Sequence, residues 1–296
     1  MGTILLILFK LGNLQKFFMA IRTVALNHIY NINELNFTGI LNELQDDPLT
    51  MDIFQLNKIT ELSPSLAAEF TNMKINSEIE LKSLSVLNEE TAIELSKFKG
   101  SLILGNAFFE QKVLERLMLH TGALELAGLE NITRIQAEIL KNYSGNVLDL
   151  SALQKLDHEC AVSLAKFSGK YMSLNALKVL DAFSAKALST FNGHLFLDGI
   201  EELTTESLLN LCNHPFSMNM DGLQSLDQDS SLAFSRKKGN HLSLRGLTSF
   251  SDFAAEAFIT HHRTVVLSKS VMMSEFASDA LKKNQLVEFS NYPWSK

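Results

Sequence analysis

The sequence predicts an α/β solenoid: a parallel sheet on the concave face, helices on the convex face, and about eleven repeats of 22–25 residues. Three observations carry this prediction. An apolar–x–apolar triplet recurs at nearly constant spacing, a helix-capping residue follows it at a fixed distance in nine of the eleven units, and the glycines collect at two positions of the repeat. Leu148, Leu150, Leu153 and Leu156 return as Met172, Leu174, Leu177 and Leu180. They return again as Leu195, Leu197, Ile200 and Leu203, and as Met218, Met220, Leu223 and Leu226. Units begin at residues 35, 54, 79, 102, 124, 148, 172, 195, 218, 242 and 265, and positions 1 and 3 of every unit are apolar. Self-similarity at such a period is the mark of a stacked architecture in which each unit buries its apolar face against the next.

Each unit opens as a strand. Its apolar residues alternate with period two, so both side chains point to one side of a short extended segment. The helix start comes next. Position 10 holds Ser63, Asn88, Thr133, Asp157, Asp181, Thr204, Asp227, Ser251 and Ser274, residue types whose side-chain oxygen accepts from free N–H groups at a helix N-terminus. Gln136, three residues after Thr133, predicts a capping box. Positions 14, 17 and 20 then form one helical stripe, as in Ala137, Leu140 and Tyr143, in Ala161, Leu164 and Phe167, and in Ala185, Leu188 and Phe191. Glycine closes the unit near position 22 and recurs at position 5, where the chain leaves the strand; these are turn positions, and no phosphate-cradling glycine motif is present.

The stretch Leu242-Ser-Leu-Arg-Gly-Leu-Thr-Ser-Phe-Ser-Asp-Phe-Ala-Ala-Glu-Ala-Phe258 resembles the leucine-rich repeat family. In particular it is similar to bacterial arrays of the Leu-Ser-Leu-x-Gly-Leu-Thr-Ser-Leu-Ser-Asp-x-Ala-Ala-Glu-Ala-Leu type, and the likeness extends over roughly residues 35–285. The resemblance implies a solenoid fold and an interaction scaffold. One departure matters: the asparagine that usually forms a ladder after the strand is replaced by Leu or Ile (Leu84, Leu129, Leu153, Leu177, Ile200, Leu223, Leu247), so the turn backbone must be satisfied in another way.

The expected organisation is an N-terminal helical cap over residues 1–34, the repeats over 35–285, and a cap strand with tail over 286–296. Residues 1–33 contain no acidic residue, carry Lys10, Lys16 and Arg22, and space Ile7, Leu11, Leu14, Phe18, Ile21 and Ala25 as one amphipathic stripe. A cap over the first repeat is the expected role. A signal peptide, an interfacial membrane helix with the repeats as a rigid stalk, and a true start at Met19 stay open as alternatives. Val287-Glu-Phe289 is expected to add a last strand, with Trp294 over the final layer.

The chain carries 26 Lys and Arg against 33 Asp and Glu, a net charge of −7, which argues against a nucleic-acid partner. A 46% hydrophobic content excludes a disordered chain. Cys160 and Cys212 fall in helical parts two units apart, too far for a disulfide, and are expected to be buried and inert. His261 and His262 are expected at a solvated helix end, and the Arg236-Lys237-Lys238 cluster ends a helix where cations complement the dipole. No catalytic constellation, metal ligand set or cofactor motif is assigned.

What remains is the open face of the sheet, where positions 0, 2 and 4 point away from the core. The candidate partner-binding residues there are Glu125, Asp149, Tyr171, Asn175, Phe196, Asp198, Asn219, Asp221 and Arg245. Tyr171 and Phe196 place aromatics on a face expected to meet solvent, the usual anchor of a binding surface. Glu125, Asp149, Asp198 and Asp221 form an acidic stripe opposed only by Lys82 and Arg245. The expected function is a non-catalytic, monomeric protein-binding scaffold taking a partner of basic character on this face; a cytoplasmic location is favoured, with secreted and membrane-associated locations left open.

Overall fold

The computed structural model describes residues 53–55, 59–72, 78–105, 109–259 and 261–290 of the 296-residue chain. The N-terminal helix expected over residues 1–33, the repeat starting at 35 and Trp294 lie outside the described residues. The chain divides between Leu124 and Glu125 into two compact units.

The first unit alternates strands and helices: β1 (Ile53–Gln55), α1 (Pro64–Asn72), β2 (Glu78–Leu81), α2 (Glu89–Ser96), β3 (Ser101–Leu104) and α3 (Gln111–Leu117), followed by β4 (Ala123–Leu126), which crosses the division. The strands pair in parallel, Ile53 opposite Glu78 and Glu78 opposite Ser101. Helices α1, α2 and α3 pack side by side in chain order. Ile79, Leu81, Leu102 and Leu104 are fully buried beneath Phe70, Leu95, Leu114 and Leu117.

The second unit repeats the same motif through α4 (Arg134–Leu140), β5 (Val147–Asp149), α5 (His158–Leu164), β6 (Tyr171–Ser173), α6 (Ala182–Leu188), β7 (His194–Phe196), α7 (Thr205–Cys212), β8 (Met218–Asn219) and α8 (Gln228–Ser235). It continues with β9 (His241–Leu244), β10 (Ser249–Phe250), α9 (Asp252–Ile259), β11 (Thr264–Leu267), β12 (Met272–Met273), α10 (Glu275–Lys283) and β13 (Val287–Phe289). Strands β5 to β9, then β11 and β13, pair in parallel in sequence order, and β10 pairs with β12 in a two-stranded ladder of its own. A strand at Val287–Phe289 is therefore present where the sequence placed it.

Helices of seven to nine residues are too short to persist alone, so their ends and their packing must hold them. All nine position-10 residues act as caps. The side chains of Asn88, Thr133, Asp157, Asp181, Thr204, Asp227 and Ser274 accept backbone N–H bonds at their helix starts, Thr133 and Gln136 close the capping box, and Ser63 and Ser251 accept from Leu66 and Ala254. The helical stripe is buried as expected, with Ala137, Leu140, Ala161, Leu164, Ala185 and Leu188 fully enclosed.

Position 20 builds a spine along each unit. In the first, Phe98 stacks on His120 at 6.4 Å. In the second, Tyr143, Phe167, Phe191 and His214 stack in succession at 5.8, 6.0 and 6.4 Å, with ring planes within 19° of parallel. The spine then turns polar. Lys237 fills the next place, its Nζ donating to the carbonyls of His214 at 3.1 Å and Phe216 at 2.8 Å. His261 follows with Nδ1 on the Ser235 carbonyl at 2.8 Å, and Asn284 donates to the carbonyls of Phe258 and His261. Two expectations are corrected here. His261 is buried against Phe258 and only His262 is exposed, while Lys237 points into the stack and not toward solvent. Both belong to the inward stripe, because position 20 lies at the close of each helix where the side chain falls between adjacent units.

Cys160 and Cys212 are buried free thiols, and burial pushes both up to about 12. No helix among the described residues is long and apolar enough to cross a membrane, and no group of three or more His, Cys, Asp or Glu among them could hold a metal ion.

Candidate functional site

The sheet of the second unit sets its open-face residues in three rows. Parallel register puts Tyr171 opposite Val147 and His194, and His241 opposite Thr264, in the first row. The middle row runs Asp149, Ser173, Phe196, Asn219, Ser243 and Val266. The third row lies just beyond the strands: Ser151, Asn175, Asp198, Asp221 and Arg245.

The rows differ in exposure. Asp149, Ser173, Phe196, Asn219 and Ser243 are all buried, although their strands face away from the helices. The strands are two to four residues long and ~4.8 Å apart, so the outer two rows close over the middle one. Phe196 is 6% exposed, where the sequence pattern expected it to project. Tyr171 does project, at 40%. Glu125, Asn175, Asp198, Asp221 and Arg245 are half-buried.

Four rings form a continuous shelf. His194 stacks on Phe196 at 4.3 Å and 12°, Tyr171 leans on both at 6.0 and 6.5 Å, and His241 lies 6.5 Å from His194. His194 Nε2 is 3.0 Å from Asn219 Oδ1, which fixes the tautomer with the proton on Nε2, since an amide oxygen can only accept. Burial holds the pKa of His194 below its usual value and that of His241 down to about 4. Both imidazoles are therefore neutral at pH 7 and add no positive charge to the shelf.

The third row is a hydrogen-bonded ladder. The Asp198 N–H donates to Asn175 Oδ1 at 3.1 Å, the Asp221 N–H to Asp198 Oδ1 at 3.1 Å, and the Arg245 N–H to Asp221 Oδ1 at 2.9 Å. Position 4 thus performs the backbone satisfaction that the absent asparagine would perform elsewhere in the turn. Asp149 uses Oδ1 within its own unit, accepting from the Ser151 N–H at 2.9 Å. Asp221 is the most heavily engaged. Its Oδ1 also accepts from Ser243 Oγ at 2.6 Å, and its Oδ2 takes both Nε (2.8 Å) and Nη2 of Arg245. The acidic stripe is in large part an internal device, and Arg245 neutralises one member of it.

The ladder also explains a glycine. A Cβ on Gly246 would overlap the carbonyl of Asp221, so close approach of the preceding rung requires glycine there, and no positive φ is involved. Gly246→Ala is expected to cost about 1–3 kcal/mol, because backbone must move to admit the methyl. Thermal unfolding followed by circular dichroism checks this: a melting temperature equal to that of the parent would mean that the rung spacing is not fixed.

No family model matches the sequence, and no curated protein does. Among solved structures, an internalin (inlF) from Listeria monocytogenes is similar at 15% identity and a TM-score of 0.49, over 82% of this chain and 74% of that one. The Toll protein of Drosophila, solved in complex with Spätzle, is similar at 11% identity and a TM-score of 0.46, over 73% of this chain and 36% of that one. Recurring strand, cap, short helix and spine decide the matter. The fold is an α/β solenoid of leucine-rich-repeat type.

Sequence reasoning placed Tyr171, Phe196, Asp198, Asn219 and Asp221 on one face, and the structure brings them together in three adjacent units. It missed the contribution of His194 and His241 to the ring shelf, and the engagement of position 4 in the ladder. The second was readable: Asn175, Asp198 and Asp221 recur at one position in three consecutive units, a regularity that a free binding surface has no need of.

Proposed function

We propose that the protein is a non-catalytic interaction scaffold that receives a protein partner of basic character on the open sheet face of its second unit. Tyr171 carries this reading. It is the large side chain that projects from a shelf of rings, beside carboxylates, on a surface where Phe196, His194, His241 and Asn219 are packed away. Aromatic anchors surrounded by well-packed neighbours are where binding energy concentrates. Phe196, His194 and Asn219 then hold the anchor in place, while Asp198 and Glu125 supply charge and the Asn175–Arg245 ladder fixes the backbone beneath. The Leu242–Phe258 sequence also supports grouping the chain with bacterial arrays of its repeat type.

The test uses a photo-crosslinking amino acid placed at Tyr171 in one preparation and at Glu206, an exposed residue of α7, in another. A partner crosslinked from position 171, not from 206, and lost on Phe196→Ala is the expected result. Equal labelling from both positions, or none from 171, would sink the face assignment.

A further inference from the structure

The sheet face holds more than an anchor; its chemistry selects one kind of side chain. We infer that Tyr171, Phe196, Ser173 and Asp198 form a site for a single arginine guanidinium of the partner, an inference that rests on the sheet face being the partner surface.

Three independent features converge there. Tyr171 and Phe196 come from adjacent strands with ring centroids 6.5 Å apart and planes 33° from parallel, and the tyrosine ring is 40% exposed. A planar cation lying on such a face gains from the ring quadrupole and loses little hydration, which favours guanidinium over ammonium. Asp198 lies two residues beyond Phe196, in the turn that follows β7, where the ladder holds it between Asn175 and Asp221. Its Oδ1 is occupied by the Asp221 N–H, and its Oδ2 has no hydrogen-bond partner among the described residues. Arg245 is committed to Asp221.

The third feature is an orphan. Ser173 is 1% exposed, and its Oγ has no hydrogen-bond partner among the described residues. Register places it between Asp149 and Phe196 across the sheet, and between Tyr171 and Asn175 along its own chain. An unmet buried polar group costs about 1–3 kcal/mol, so an N–H donor brought in beneath the edge of Tyr171 relieves a deficit already present. Ser173 lies opposite Phe196, and Asp198 follows two residues later in the adjacent repeat, so the two are diagonal neighbours. A guanidinium, with five donors in a fixed fork, bridges them, directing one edge to the carboxylate and the other to the hydroxyl. A neutral sugar leaves the carboxylate uncompensated, and an acidic residue is repelled by it.

The experiment measures fluorescence anisotropy of labelled oligo-arginine, oligo-lysine and oligo-citrulline peptides of equal length with the full-length protein at physiological salt. Oligo-arginine is expected to bind about tenfold or more tighter than oligo-lysine, and oligo-citrulline not at all. Asp198→Asn and Tyr171→Ala should each weaken oligo-arginine binding about tenfold, while Glu206→Gln leaves it unchanged. Asp198→Asn keeps its ladder bond, since Asn175 already makes the same bond one unit earlier, so lost binding is not lost folding; Tyr171→Ala removes the ring without touching the ladder. Equal binding of arginine and lysine peptides, or indifference to both substitutions, overturns the arginine site. If crosslinking from position 171 persists in that case, the partner surface stands and only the arginine assignment falls.

Discussion

Asp221→Ala is expected to lower the unfolding free energy by about 3 kcal/mol or more, well beyond the effect of any other single rung of the ladder. The reason lies in how many groups depend on one carboxylate. Asp221 accepts from the Arg245 backbone, the Ser243 hydroxyl and two guanidinium nitrogens, with the Arg245 and Asp221 side chains only 13% and 18% exposed. Removing one partner of a largely buried ion pair leaves the other charge desolvated, and such losses run to about 3–5 kcal/mol. Asp198→Ala, which removes one accepted backbone bond, should cost only about 1 kcal/mol. Arg245→Met is expected to fall between them, because the Asp221 carboxylate keeps two of its donors. The double variant, with both Asp221 and Arg245 replaced, should be less damaging than the sum of the singles by about 1–3 kcal/mol. Urea unfolding followed by circular dichroism reads all four. If Asp221→Ala costs no more than Asp198→Ala, the ion pair adds nothing to the ladder.

That network shows where the sequence was readable and where it was not. Strand, cap, helical stripe and closing glycine each depend on one residue type at one position, so a pattern in the chain translates directly into an element. Thr133 with Gln136 is the clearest case: the spacing specifies the capping box, and the box forms. The sheet face is different. Whether Asp221 is a free charge or a structural acceptor depends on Ser243 and Arg245, more than twenty residues away, and on the register between β8 and β9. Period-two alternation says only that a side chain faces outward. It does not say that an outward row on strands this short is covered by the rows beside it, which is why Phe196 and Asn219 are buried while Tyr171 is not. The spine failed to be legible for a similar reason. Tyr143, Phe167 and Phe191 read as core, yet His214, Lys237, His261 and Asn284 occupy equivalent places and read as surface by residue type. The equivalence of position outweighs the identity of the residue, because the neighbouring units close over the position whatever fills it.

Lys237 turns that substitution into a measurable dependence on pH. Its amine is buried in the spine with two carbonyls for partners, and desolvation lowers its pKa from 10.5 to about 8. A base whose folded pKa is depressed destabilises the folded state fully below about 8, where the native amine must carry a buried charge. From about 8 to 10.5 the unfolded chain binds the proton that the folded chain has released, so this residue's contribution to stability rises with pH. At 1.36 kcal/mol per unit the span is worth about 3 kcal/mol. Cys160 and Cys212 oppose it. Their thiols are raised from 9.0 to about 12, so above pH 9 the unfolded chain loses protons that the folded chain keeps, and stability falls. Near pH 9 the opposing slopes nearly cancel, and by pH 10 the two thiols outweigh the single amine, so the parent protein's own curve falls there. The informative quantity is the difference between parent and Lys237→Met, in which the thiol contributions largely cancel. That difference is expected to move in favour of the parent by about 3 kcal/mol between pH 8 and 10.5, measured by denaturant unfolding at each pH. A difference that stays constant across this window would mean that Lys237 keeps its charge at no cost, and that the two carbonyls of His214 and Phe216 are enough to replace water around a buried ammonium.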